Sequence, residues 1–173
     1  MNSPNQNFLK SILHYDPCTG LFTHKTQRGG VKKGSLAGNK NKSNYVVIRI
    51  NHKAYRAHRL AWLYTYGMWP TGMLDHINND RSDNSIYNLR EASNSENNQN
   101  KNLAKNNLCG IKGVFWNKHK RRWEASCSLN GKRYVLGRFK NISDAEREVR
   151  LFREKAHGEF ANHGDKKGGD HAY

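Results

Sequence analysis

The sequence predicts an α+β chain of two small domains, and three observations carry that expectation. Only 35% of the 173 residues are apolar, which is thin for one large core but adequate for two small ones. The run Met73–Asn100 reads as two short apolar strands around a polar loop, closed by a helix start. From Gly110 the texture changes to three extended runs followed by an amphipathic helix.

Each element has a local reason. In "NFLKSILHY" the apolar residues Phe8, Leu9, Ile12 and Leu13 recur at helical spacing, so a short helix over about Asn7–His14 is expected, broken by "DPCTG". "LFTHK" reads as a strand, and Arg28 to Lys42, rich in Gly, Lys and Asn, as a basic loop. "NYVVIRINHKAYRAHRLAW" reads as a β-hairpin turning at "NHK". In "HRLAWLYTYG", Leu60, Leu63 and Tyr64 lie on one helical face, and Gly67 followed by Trp69-Pro70 ends the helix. "MLDHI" and "IYNLREA" read as paired strands, with Asn88 on the second, and Ser93 to Glu96 has the form of a capping box.

The asparagine-rich stretch that follows has few apolar residues to offset ordering entropy, so it reads as a linker. Beyond it, Asn130-Gly131 is the strongest hairpin signal in the chain. "SDAEREVRLFREKAHGEF" is expected to be a helix capped by Ser143 or Asp144, with Ala145, Val149, Phe152 and Ala156 on one face. The expected organisation is residues 1–102 as one domain with a β-rich N-terminal extension, 103–109 as linker, 110–163 as the second domain and 164–173 as a disordered tail.

Charge narrows the partner. The net charge is +16, from 30 Lys and Arg against 14 Asp and Glu, and it is spread over both halves of the chain. Such a chain is drawn to a polyanion, and nucleic acid is the expected one because phosphate neutralisation by Lys and Arg supplies most non-specific affinity. A membrane is disfavoured: no apolar run approaches the length of a span, and no N-terminal signal pattern is present, so a cytoplasmic location is expected. Cys18, Cys109 and Cys127 are odd in number and form no C-x-x-C pair, which argues against a disulfide framework or a cysteine-rich zinc site.

The chemistry concentrates in "MLDHINNDRSDNSIYNLREASNSENNQN". A carboxylate and an amide oxygen are hard ligands suited to Mg²⁺ or Mn²⁺, and a neutral imidazole can take a proton from water near pH 7. Such a site needs only one or two protein oxygens, because DNA phosphate and water complete the metal's shell. A strand, loop, strand and helix could bring Asp75, His76, Asn88 and Asn97 together, provided the strand bends or ends where Asp75 and His76 would otherwise point to opposite faces. An isolated Asp-His pair would ordinarily be a turn and a surface histidine.

The run "AHRLAW…P…DHINND…DNSIYNLREAS…EN…N" resembles the HNH motif of the ββα-metal nuclease fold, in the variant found in phage and intron homing endonucleases. The resemblance covers roughly residues 8–102. It implies His76 as general base, Asp75 and Asn97 as ligands of one divalent cation, and Asn88 as the residue that ties the loop and orients His76. The third position is Asn97 rather than His, as in homing members of the family. His58 remains without an assigned role, with packing on its own domain the expected one.

"GVFWNKHKRRWEASCSLNGKRYVLGRF" and the helix ending "HGEFAN" resemble an AP2 DNA-binding domain over about Gly110 to Asn162. The resemblance implies a three-stranded antiparallel sheet set in the major groove and braced by the helix. By alternation Ala125, Cys127, Tyr134 and Leu136 should face the helix, while Glu124, Ser126, Ser128, Arg133 and Val135 face out. Lys112, Phe115 and Arg133 match DNA-contacting positions of plant relatives, and Lys120, Arg121 and Arg122 in "KHKRR" are expected on phosphates. Trp116 and Trp123 are expected to pack in the core.

The reading is a site-directed DNA endonuclease: a ββα-metal (HNH) nuclease domain using one Mg²⁺ or Mn²⁺, followed by a small AP2-like domain, acting on double-stranded DNA as a monomer or dimer, without a membrane or a small-molecule cofactor. The alternative is a non-catalytic, sequence-specific DNA-binding regulator. Charge alone would also allow an RNA-binding or structural basic protein.

Overall fold

The computed structural model describes residues 3–27, 29–104 and 106–165. The chain forms two compact units that divide between Ala92 and Ser93.

In the first unit, helix α1 (Gln6–Ile12) is capped by the Asn5 side chain, which accepts from the Phe8 N–H at 2.9 Å. The helix stops at Ile12, short of the expected His14. Leu13 and Tyr15 are both buried with exposed His14 between them, a period of two, and they form strand β1 (Leu13–Tyr15) paired with β2 (Phe22–His24). The Asp16 carboxylate accepts from the backbone of Cys18 and the hydroxyl of Thr19, which sets the turn between them. The expected basic loop contains a short strand, β3 (Asn39–Lys40), on the edge of a sheet ordered β3-β4-β5 with β4 (Val46–Ile50) and β5 (Lys53–Arg56). Asn51 and His52 both adopt left-handed φ, 49° and 65°, as a two-residue hairpin turn requires.

Strand β5 runs directly into helix α2 (Ala57–Tyr66), which ends at Gly67 with φ 79°. Leu9, Leu13, Tyr15, Phe22, Ile48, Ile50, Leu60 and Leu63 fill the core beneath it. Strand β6 (Met73–His76) then pairs antiparallel with β7 (Leu89–Ala92). Asn88 is not on the second strand, as expected, but ends a 3-10 turn, Ile86–Asn88, at its head. The reason is that Ile86 N–H is taken by the Pro17 carbonyl at 3.1 Å and Asn88 N–H by Ser85, so neither reaches β6.

The second unit opens with helix α3 (Asn94–Gln99), whose capping box is complete: Glu96 N–H donates to Ser93 Oγ and Ser93 N–H to Glu96 Oε2. The expected linker 103–109 therefore lies inside this unit rather than between units. What holds its start is Lys112, whose ammonium donates to the carbonyls of Gln99, Lys101 and Asn162, together with Asn162 Nδ2 donating to Asn100 O at 2.8 Å.

Strands β8 (Val114–Asn117), β9 (Arg122–Leu129) and β10 (Lys132–Phe139) form the expected antiparallel sheet, ordered β10-β9-β8, with Asn130 and Gly131 left-handed in the turn. Helix α4 (Ile142–His157) packs on it through Ala145 and Val149 against Val114, Ala125 and Cys127. Its N-cap is Asn141, earlier than the expected Ser143 or Asp144, and Ile142 is drawn into the core as its first residue.

A bulge between Val135 and Gly137 tucks Leu136 against the core and returns Arg138 to the outer face opposite Glu124. Gly164 and Asp165, expected in a disordered tail, are fastened by Asn162 and Arg150. The rest of that tail, 166–173, lies outside the described residues. Among the described residues no helix is long and apolar enough to cross a membrane.

Candidate functional site

The site grows from the last two residues of β6. Asp75 sits directly across from Arg90 of β7, and its Oδ2 accepts from Arg90 Nη2 at 2.9 Å and Nε at 3.1 Å. The carboxylate is 4% exposed, so this is a buried ion pair that holds Asp75 in one orientation. His76, 5% exposed, closes the ladder, and the chain turns away at once through Asn79 N–H donating to His76 O at 2.8 Å. The strand therefore ends where the opposite-face problem would arise.

The asparagines and aspartates of the loop are structural. Asn78 Nδ2 donates to Asp83 Oδ2 at 2.6 Å, Asp80 accepts from the backbone and hydroxyl of Ser82, and Asp83 Oδ1 accepts from Ser85 N–H. The Ser82 bonds hold the Asp80 carboxyl below the usual range. Asn88 spans the loop: its Oδ1 accepts from Asn78 N–H at 2.9 Å and its Nδ2 donates to Asp83 O at 2.9 Å. The first turn of the chain buttresses this loop. Tyr15 Oη donates to Asn84 O at 2.7 Å, and a Cβ on Gly20, whose φ is +71°, would lie 2.3 Å from Asn84 C and Ser85 N.

The His76 ring meets the His58 ring edge-on, with centroids 4.9 Å apart, and Tyr45 stands beside both, 5.4 Å from His58 and 6.1 Å from His76. The guanidinium groups of Arg56 and Arg81 lie over the Tyr45 ring at 4.4 and 5.1 Å. Burial pushes His76 below the usual histidine range, although a hydrogen bond with Asn84 and the nearby carboxylates oppose the shift. It pushes His58 down to about 3, helped by the neighbouring His76 and Arg56.

A pH effect on stability follows from His58. Its folded pKa lies below the unfolded value, so the unfolded chain binds the extra proton and folding weakens as pH falls below about 6.5. At pH 5 the loss from His58 alone is about 2 kcal/mol. Chemical denaturation at pH 7 and pH 5, with His58→Gln as the control that removes the His58 share of the difference, checks it.

Asp75, His76 and Asn88 are brought together in the first unit, while Asn97 lies on α3 of the second. Three residues beside Asp75 and His76 carried no sequence signal of their own, Tyr45, Asn84 and Arg90, and His58, the neighbour of His76, had a pointer only in "AHRLAW". Among the described residues no three His, Cys, Asp or Glu side chains gather to hold a metal.

In the second unit the expected DNA-contacting residues divide. Phe115 and Arg133 are exposed on the outer face, the guanidinium 5.2 Å above the ring, and Lys120 and Arg121 are exposed in the turn, with half-buried Arg122 at its end. Lys112 is not available for DNA, because its N–H donors are spent on three backbone carbonyls and burial lowers its pKa to about 8. Glu124 and Ser126, expected to face out, are buried: Glu124 is covered by Arg138, at 3.1 Å, and Arg133, at 3.9 Å. Tyr134 faces α4 as expected, 5.7 Å from Phe152. Trp116, expected in the core, stays largely exposed and only edges against Trp123.

The region around Asp75 and His76 is where the sequence matches a known family. Residues 55–99, which run from β5 through α3, match the HNH endonuclease family. Protein 3.8 of Escherichia phage T7 is 31% identical over 111 residues, spanning 64% of this chain and 91% of that relative. The chain belongs to the protein 3.8 family. Within this protein 3.8 relative, the HNH endonuclease domain contains Asp75, His76, Asn88 and Asn97. A solved HNH homing endonuclease, I-HmuI, described for its DNA binding and cleavage, matches over 91% of each chain at 18% identity with a TM-score of 0.43.

Proposed function

We propose that the protein is a site-directed DNA endonuclease of the homing type, hydrolysing a phosphodiester with one divalent cation and a histidine base. The observation that carries this reading is His76: an imidazole kept neutral by burial, beside a buried carboxylate, at the end of β6 in the region that matches the HNH family. A neutral imidazole accepts the proton of an attacking water, and Asn88 keeps the loop behind it in place.

Asp75 is the residue of the first unit that would hold the cation. Its oxygens are hard donors that fit Mg²⁺ or Mn²⁺, and Arg90 preorients the carboxylate. When bound, the cation supplies charge stabilisation at the phosphate and the leaving 3′ oxygen. The outer face of β8–β10, with Phe115, Lys120, Arg121, Arg122 and Arg133, is the AP2-like surface that would place double-stranded DNA. Replacing Arg133 by Gln is expected to weaken DNA binding and flatten the log K against log salt slope by about 0.9, with cleavage at saturating DNA intact. Salt titrations of wild type and variant measure it; equal slopes would remove Arg133 from the interface.

The test is cleavage of duplex DNA carrying the candidate target by the wild-type chain, in Mg²⁺, in Mn²⁺ and in chelator. Metal-dependent cutting supports the endonuclease. Tight binding by a folded protein that cuts under neither metal would assign the DNA-binding regulator instead.

A further inference from the structure

A cavity of about 730 Å³ opens in the second unit between α3, the β9–β10 hairpin and the C-terminal half of α4. Its wall carries Lys112, Arg133, Arg153 and His157, and no carboxylate. Arg153 and His157 lie on the face of α4 that packs inward, 2% and 8% exposed. The Arg153 guanidinium donates to Lys112 O at 2.7 Å and meets His163 Nδ1 at 2.9 Å, and among the described residues it has no carboxylate partner.

One buried donor is also left over. Arg153 Nε has no hydrogen-bond partner among the described residues. A buried cation without an anion is unfavourable, and so is a buried N–H without an acceptor. Lys112 is satisfied in hydrogen bonds, yet these are to carbonyl dipoles, and the charge of Arg153 lies near enough to repel it. An oxyanion is the ligand that such a wall favours. The hydroxyl of Ser95 on the wall suits tetrahedral oxygens.

We propose that this cavity is a phosphate-binding site, entered past Ser128 and Arg133. The phosphate could come from a DNA backbone or from solution. The DNA source rests on the reading of the second unit as a DNA-binding module, whereas the solution source does not.

The experiment uses the full chain and two variants: Ser128→Glu, which places a carboxylate where it can pair with the cavity's cations, and Ser128→Gln as the neutral control of similar size. Thermal unfolding is followed in sodium phosphate, at about 10 mM, against sodium chloride of equal ionic strength, and duplex DNA affinity is measured in parallel. The expected result is a phosphate-specific rise of a few degrees in wild type and Ser128→Gln that is absent in Ser128→Glu. If the source is the DNA backbone, inorganic phosphate also competes with duplex DNA beyond the effect of chloride at equal ionic strength. If the source is solution phosphate, the thermal effect is present and inorganic phosphate does not compete with DNA.

Absence of a phosphate-specific shift in wild type overturns the site. That holds even if Ser128→Glu weakens DNA binding, since through-space repulsion alone would do so. Neither readout uses cleavage, so an inactive nuclease leaves this result standing or falling by itself.

Discussion

Replacing His76 by Ala is expected to slow duplex cleavage by roughly 10²–10⁴-fold while DNA affinity stays within about twofold of wild type. The size follows from the loss of a positioned base, which leaves water to be deprotonated by solvent. The binding surface is untouched because His76 is only 5% exposed and its ring packs on His58 and Tyr45 inside the first unit. The pH profile adds a second readout. Burial lowers the pKa of His76, so the imidazole stays a base to more acidic pH than an ordinary histidine. The acid limb of the wild-type rate is therefore expected below about pH 6.5, and to be missing from the residual rate of His76→Gln. Single-turnover cleavage across pH, with melting temperature as a check on folding, decides the matter. A variant that is folded and cuts at the wild-type rate would remove His76 from the chemistry.

Gly20→Ala is expected to destabilise the first unit by about 2–4 kcal/mol, although the residue lies far from Asp75 in sequence. Part of the cost is the left-handed backbone, φ +71°, which a Cβ disfavours by about 1–2 kcal/mol. The larger part is contact: the added carbon would stand 2.3 Å from Asn84 C and Ser85 N, main-chain atoms that cannot rotate away. Either the turn Asp16–Gly20 or the loop Asn84–Asn88 must move. Since the same loop holds Asn88 and the Asn84 side chain that bonds His76, cleavage should fall along with stability. A fall of at least roughly 8 °C in melting temperature is expected for a unit of this size. A change within about a degree would mean that the loop does not seat on Gly20.

The places where sequence reading stopped have a common cause. The capping box at Ser93 and Glu96, the Asn130-Gly131 turn and the stop at Gly67 are local, and each formed as expected. Lys112 shows the opposite case. It matches a DNA-contacting position in the AP2 resemblance, and nothing in its neighbours announces that three carbonyls from Gln99, Lys101 and Asn162 will surround it. Glu124 on an alternating strand reads as outward and polar. It is outward, but the bulge at Leu136 brings Arg138 over it and buries it. Arg153 on α4 reads as one charge among several on a helix, whereas the helix rotates it inward beside Lys112.

Charge, strand period, capping residues and the Asp75-His76-Asn88-Asn97 spacing were legible in the chain by itself, because each depends on neighbours within a turn of helix, a hairpin or one short motif. The pairing of Asp75 with Arg90, the packing of His58 and Tyr45 on His76, the seat of the loop on Gly20 and the basic cavity were decided only by the tertiary structure. They depend on side chains brought together from distant parts of the chain, and their burial sets the protonation of His58 and His76 by removing water, which no local pattern encodes.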